Sequence, residues 1–362
     1  MLITDNQSSP LLLTIFYIKS YHSTSDFEGL YFLFLFLDGI LMICSGCLMI
    51  YTVYMAMCTN LFHFNITIIY SIFMLHWFEL LISRLFIFPY QEGFLPVTLS
   101  THSSDSLLQY TFDDTLEYVS SMDSLFPLVL GAGLRIRYLL TVCFALPCVA
   151  VERCFATWLM SDYEHKTRGQ ISAVPIILSE IFATCGAFAV SYQWISVFET
   201  ALCAALLTLF SYLTFLIIKT MTRQLEEKCE KSVDFYSLSV KFQLTENIRT
   251  LKVIHVIVVE VAIMIITVAI TILLAKLDML SEESTLIVFV ILDKFIHINP
   301  IFICTAVFCV EPRWFRRLVR LIPGRLHNRT HVFSKYSEDH PAFKTQRLSL
   351  ADVHFEQLRK LW

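Results

Sequence analysis

The chain has 362 residues, of which 56% are hydrophobic and only 16% charged, with a formal net charge of −4. Glycine and proline are sparse. This composition excludes a soluble enzyme or a nucleic-acid-binding domain and points to helices standing in lipid.

The first residues carry Asn6-Gln7-Ser8, an acceptor sequence for N-glycosylation at Asn6. Residues 11–18 are apolar but form a short run with no basic residue before it, which is a poor signal peptide. The first long span is therefore expected to act as the signal anchor. Seven apolar runs follow, at roughly 31–57, 66–89, 126–155, 171–190, 196–219, 252–276 and 286–310. Each matches the roughly 20 residues that cross a hydrocarbon layer. Between the fourth and fifth runs only residues 191–195 intervene, with Tyr192 and Trp194 suited to the membrane–water interface. No internal repeat is visible, which argues against inverted-repeat transporter folds.

After the seventh run, Glu311-Pro312 opens a segment in which Trp314, Phe315, Leu318, Leu321 and Ile322 share one helical face. Arg313, Arg316, Arg317 and Arg320 take the other face, and Pro323-Gly324 ends the segment. It reads as a short amphipathic helix in the inner interface. The expected fold is thus an all-α membrane protein, a seven-transmembrane helix bundle over residues 31–310. An outside N-terminus covers 1–30, the interfacial helix 311–324 and a polar cytosolic tail 325–362.

Orientation follows from lysine and arginine in the loops. The connection 91–125 has neither, but carries Glu92, Asp105, Asp113, Asp114, Glu117 and Asp123. The opposite side holds Arg153, Lys166, Arg168, Arg223, Lys228, Lys231, Lys241 and Arg249, and the tail is rich in arginine. The N-terminus is expected outside and the tail inside. The eleven cysteines lie in or beside apolar runs or near the inner face, so no outside disulfide framework is expected. Cys44 and Cys47 read as small packing residues, and no metal or cofactor site is expected. No cysteine in 191–195 can tether the third span, so its outer end must be held by packing or by 91–125.

Ionisable groups inside lipid are costly and therefore informative. Glu152-Arg153 closes the third run, and Asp162-Tyr163-Glu164 follows it. An acid–arginine pair at this place can hold a bundle closed until the helices part and the arginine is released. The block from Arg135 to Glu164, with Glu152-Arg153-Cys154-Phe155-Ala156-Thr157 at its centre, resembles the signature of the nematode serpentine chemoreceptors of class epsilon, the Sre family. The resemblance covers the seven-span core. It implies a G-protein-coupled receptor of chemosensory neurons, at the plasma membrane with the sensory cilium as a candidate site. Its implied partners are a small-molecule ligand and a heterotrimeric G protein. Asn299-Pro300 in the seventh span resembles the asparagine–proline of rhodopsin-like receptors. Pro300 removes a backbone bond to the Ile296 carbonyl and permits a kink. Pro147 and Pro175 are further bending candidates.

A third set of charges lies toward the outer side: Asp38, Arg84, Arg135, Arg137, Asp293 and Lys294. Arg135 and Arg153 are five helical turns apart and share a face, whereas Arg137 is about 200° round from Arg135. Asp38, Arg84, Arg135, Asp293 and Lys294 are the candidate ligand contacts, with an excess of positive charge suited to an anionic or carbonyl-bearing compound. The alternative is that they pair with one another and only fix the helices. His76 and Glu79 form an i, i+3 pair, and Glu180 and Glu260 lack an evident partner. The competing functional class is a seven-span channel or transporter that uses these charges as a permeation path.

Overall fold

The structure, a computed structural model, describes residues 2–4, 11–13, 15, 17–19, 28–59, 63–95, 108–110, 116–118, 125–158, 169–231, 238–277 and 279–321. Two compact units divide the chain, Met1–Val307 and Phe308–Trp362. The helices are α1 (Glu28–Cys58), α2 (Phe64–Leu75), α3 (Trp77–Gln91), α4 (Phe126–Trp158), α5 (Gln170–Ser191), α6 (Val197–Lys231), α7 (Leu238–Lys276), α8 (Glu282–Val310) and α9 (Pro312–Leu321). Seven spans are long and apolar enough to cross a membrane, with α2 and α3 together forming the second.

Large apolar side chains such as Phe34, Phe36, Ile43 and Phe210 point outward, as lipid permits. Several hydroxyls turned into the bundle are satisfied by the preceding turn of their own helix. Ser45 donates to the Leu41 carbonyl at 2.8 Å, Thr141 to Arg137 at 2.9 Å and Thr222 to Ile218 at 2.9 Å. Hydrocarbon offers these groups no other partner. The long α4 is the hub, packing on α2, α3, α5, α6 and α7. It lies tight against α3 at Gly131, where an added Cβ would stand 2.9 Å from Ile87 and 3.0 Å from the Ser83 carbonyl. The Ser83 hydroxyl donates to the Gly131 carbonyl at 2.7 Å across this contact.

Several details differ from the sequence expectation. The second span, expected as one run, is interrupted at His76. Here the Glu79 amide bonds back to the His76 carbonyl at 2.9 Å, a tighter turn than the α-helical one. Helices α6 and α7 run well past the expected spans 196–219 and 252–276. Helix α6 opens on a reciprocal cap: the Ser196 hydroxyl accepts the Glu199 amide at 3.1 Å and the Glu199 carboxylate accepts the Ser196 amide at 2.9 Å. Residues 191–195 form a tight left-handed cap with Gln193 at φ 58°, and Tyr192 and Trp194 are exposed.

The N-terminal segment and the long connection also hold short strands: β1 (Leu2–Thr4), β2 (Leu11–Leu12), β3 (Tyr17–Lys19), β4 (Leu108–Tyr110) and β5 (Leu116–Tyr118). Strand β1 lies between antiparallel β2 and parallel β5, and β3 pairs antiparallel with β4. Leu13 and Ile15 are buried with Ile87, Tyr90, Leu125, Leu128 and Ala132 at the ends of α3 and α4. The α3–α4 end of the bundle is therefore packed against the N-terminal segment, which the sequence reading did not name, with Leu125 of the 91–125 connection in the same cluster. In the second unit, α9 begins at Pro312 as expected, with Arg313, Arg316 and Arg317 exposed and Trp314 buried. Ile322, Pro323, Gly324 and the tail from 325 lie outside the described residues.

Candidate functional site

Three polar clusters are built into the apolar bundle. The first lies toward the strand-bearing end. Asp38 on α1 accepts a hydrogen bond from Arg84 on α3, and Lys294 on α8 reaches the same Oδ2 at 2.9 Å. Arg135 on α4 meets Asp293 on α8, Nη1 to Oδ1, at 3.1 Å. One turn along α8, His297 Nδ1 lies 2.5 Å from the Asp293 carbonyl oxygen, and the His297 carbonyl accepts Trp77 Nε1 at 3.1 Å. All five residues singled out from the sequence are thus brought together as ion pairs. Among these five residues two carboxylates face three cations, one positive charge more than negative. Asp38, Arg84, Arg135 and Asp293 are buried, while the Lys294 side chain keeps 31% of its surface open. Burial without pairing would cost several kcal/mol per ion, on the order given by Born solvation after relaxation. That cost explains why these charges converge.

The second cluster surrounds the break in the second span. His76 Nδ1 lies 2.7 Å from Glu79 Oε1, and His76 Nε2 lies 2.6 Å from Glu180 Oε1. Arg137 pairs with both Glu79 and Glu180 and donates from Nε to the Thr184 hydroxyl at 3.1 Å. Arg137 thus faces away from Arg135, toward α3 and α5. Glu180, without a partner in the sequence reading, has two here.

At the opposite end, Glu152 and Arg153 are both buried, 0% and 2% exposed. The guanidinium grips the neighbouring carboxylate with Nε and Nη2, each at 2.5 Å, and Nη1 donates to Asn247 Oδ1 on α7 at 3.0 Å. The sequence reading missed Asn247 because the sixth span was drawn from 252. Leu244 and Leu251 flank it at helical spacing, and their burial is the periodic signal that extends the helix. Asp162, Tyr163 and Glu164 lie outside the described residues, as does Asn6. Asn65, in a second acceptor sequence, is fully buried on α2.

Asn299 and Pro300 line a cavity of about 90 Å³ with Tyr70, Trp77, Tyr138 and Met49. Asn299 Oδ1 meets no hydrogen-bond donor among the described residues. The five ion-paired residues line neither this cavity nor a second one between α4 and α7. Among the described residues no group of three His, Cys, Asp or Glu side chains could hold a metal.

The family model for the Sre G protein-coupled chemoreceptors matches residues 1–362. The chain belongs to the Sre family. Among Caenorhabditis elegans relatives, the Sre chain is 28% identical to serpentine receptor class epsilon-38 over 94% of its own length and 95% of that protein's. It is 27% identical to serpentine receptor class epsilon-45 over 85% of each chain. With serpentine receptor class epsilon-37 it shares 23% identity over 92% of each. This Sre protein is accordingly a multi-pass membrane chemoreceptor, not an enzyme.

Proposed function

We propose that the protein binds a small molecule arriving from outside the cell and passes the signal to a heterotrimeric G protein at the cytosolic ends of α4 and α7. The observation that carries this reading is the Arg153 clamp: a buried guanidinium tied to its own helix through Glu152 and to α7 through Asn247. Parting α4 from α7 breaks the Asn247 bond and frees an arginine nitrogen for a partner. The flanking Asp162, Tyr163 and Glu164 complete the coupling surface in this reading, and Asn299-Pro300 gives α8 a place to bend. The strand-bearing end faces outside, because the 91–125 connection lacks Lys and Arg while the opposite loops are basic. Asn6 is then open to glycosylation and the protein resides in the plasma membrane, with the sensory cilium of a chemosensory neuron as its site of action.

In this reading the ligand carries an anionic or carbonyl group that answers the excess positive charge of the Asp38–Arg84–Lys294 and Arg135–Asp293 pairs. Lys294 is the member with open surface, so a ligand oxygen can take the place of Asp38 beside it. A ligand acts only through unequal affinity for the two bundle packings. Replacing one intrahelical-bundle ion pair by a ligand contact supplies that inequality between α1 and α8.

The test begins with epitope insertion at residue 6 and in the tail on intact cells, followed by a ligand screen with a G-protein readout. Lys294→Gln should lose the ligand response at unchanged surface delivery. A tail accessible from outside overturns the orientation, and a ligand-evoked current that persists without any G protein moves the channel reading to the front.

A further inference from the structure

The ion pairs around the break in the second span do not balance as they stand. Arg137 pairs with both Glu79 and Glu180, so with a neutral imidazole the cluster carries one negative charge. His76 and Glu79 belong to the second span, Arg137 to the third and Glu180 to the fourth. None of these side chains keeps more than 27% of its surface open. A net charge at such a depth is expensive and is rarely left unanswered.

The contacts of the imidazole show a second fault in the same place. His76 Nδ1 lies 2.7 Å from Glu79 Oε1, and Nε2 lies 2.6 Å from Glu180 Oε1. A neutral imidazole has one N–H and one bare lone pair. One of its nitrogens would then face a carboxylate oxygen at hydrogen-bond distance with no hydrogen between them. A single additional proton removes both faults, bringing the cluster to zero net charge and placing a hydrogen in each contact. It does so on the ring, as an imidazolium, or on one carboxyl, which then donates to the ring. The neighbouring groups offer no substitute. The Thr184 hydroxyl accepts from Arg137 Nε at 3.1 Å, and the Cys148 thiol of α4 is directed to the Pro175 carbonyl at 3.5 Å. Among the described residues no charged group other than Glu79, Glu180 and Arg137 acts on the imidazole.

We propose that His76, Glu79 and Glu180 form a proton-binding site, and that the bound proton ties the break in the second span to α5. His76 is the residue at which that span breaks, and Glu180 stands on α5. Glu79 lies within one turn of the imidazole on the same stretch of chain, so the contact between spans is the one that opens when the proton leaves. Arg137 continues to hold both carboxylates. The packing of the second span on α5 therefore weakens as the bath is made alkaline. Neither the orientation of the chain nor G-protein coupling enters this inference.

The experiment uses the full-length receptor in mixed lipid–detergent micelles. Reversible unfolding by SDS is followed between about pH 7 and about pH 9, where a proton held by the folded state and absent from the unfolded chain changes the unfolding constant about tenfold per pH unit. Glu180→Gln removes one charge at nearly constant shape. Arg137 then balances Glu79, and the new amide supplies a hydrogen to His76 Nε2, so this variant needs no additional proton. The unfolding constant of the wild type should rise with pH relative to that of Glu180→Gln, approaching tenfold per pH unit while the site empties. Glu79→Gln removes the same charge if the first variant fails to fold. Ring-15N histidine spectra, with the His76 signals assigned by their loss in His76→Gln, should show two N–H nitrogens at neutral pH. One N–H together with the expected pH slope places the proton on a carboxyl and supports the site equally. Parallel pH dependence in the wild type and the glutamine variants would overturn the site. None of these results bears on whether a G protein is engaged, so the receptor reading stands or falls separately.

Discussion

Asn247→Leu should make the receptor active without ligand. In the structure Arg153 Nη1 donates to Asn247 Oδ1 at 3.0 Å, joining α4 to α7, while the other nitrogens hold Glu152 within α4. Among the bonds of Arg153 to described residues, the Asn247 bond is the one that parting the two helices breaks. A hydrogen bond to a charged group contributes about 1.5–3 kcal/mol. Asn247 is half-buried, so water replaces part of the bond in the open packing and the lower end applies. About 1.5 kcal/mol is roughly a tenfold change in the equilibrium between packings. A resting active fraction on the order of 1% would rise to about 10%. The assay is ligand-free nucleotide exchange on membranes carrying the receptor and a G protein, normalised to surface receptor. Asn247→Asp keeps the geometry and offers the arginine a carboxylate, so it should lower the basal rate. General damage to the fold cannot produce opposite shifts from these two substitutions. Basal exchange equal to wild type in both variants, at matched surface levels, would refute the clamp.

Three further outcomes follow from the packing. Gly131→Val should lower the melting temperature in detergent and cut surface delivery, because even a Cβ meets Ile87 and the Ser83 carbonyl at 2.9 and 3.0 Å, and overpacking costs about 1–3 kcal/mol. Gln193→Gly should stabilise by up to about 1 kcal/mol in the same melt, since Gln193 sits at φ 58° where glycine has no Cβ penalty; an unchanged or lowered midpoint counts against the strain argument. Arg137→Leu alone should destabilise by about 1.5–3 kcal/mol, because the half-buried Glu79 and Glu180 lose its charged hydrogen bonds and keep the His76 ring between them. Adding Glu79→Gln and Glu180→Gln should recover most of that loss, and a triple variant no better than the single one contradicts a mutually dependent cluster.

The bundle was legible because apolar run length and loop charge are strong, additive signals in lipid. The pairing of Arg135 with the face of Arg153 followed from eighteen residues being five turns, and α4 carries that face through Pro147. The partners of Glu180 were hidden because contacts between helices depend on rotation and tilt, which a single sequence does not specify. The break at His76 has no glycine or proline to announce it. It coincides with ion pairs on both sides of the imidazole. Asn247 was missed through a boundary drawn from hydropathy, which fades where a helix leaves the membrane although the helix itself continues. The short strands went unread because two or three residues give too little alternation to register, and their partners lie in a distant connection.

The pairing of Leu2 with Leu116 also has a consequence for biosynthesis. Strand β1 leaves the ribosome before α1, α2 and α3 exist, yet its parallel partner follows all three. The segment can pair with β2 at once, but it must wait on the membrane surface for β5 until the second span and the long connection have been delivered. Its docking is a late folding step that reports completion of the first half of the molecule. A reporter fused directly ahead of Leu2 would load this waiting strand, whereas an insertion between β1 and β2 leaves both free to dock.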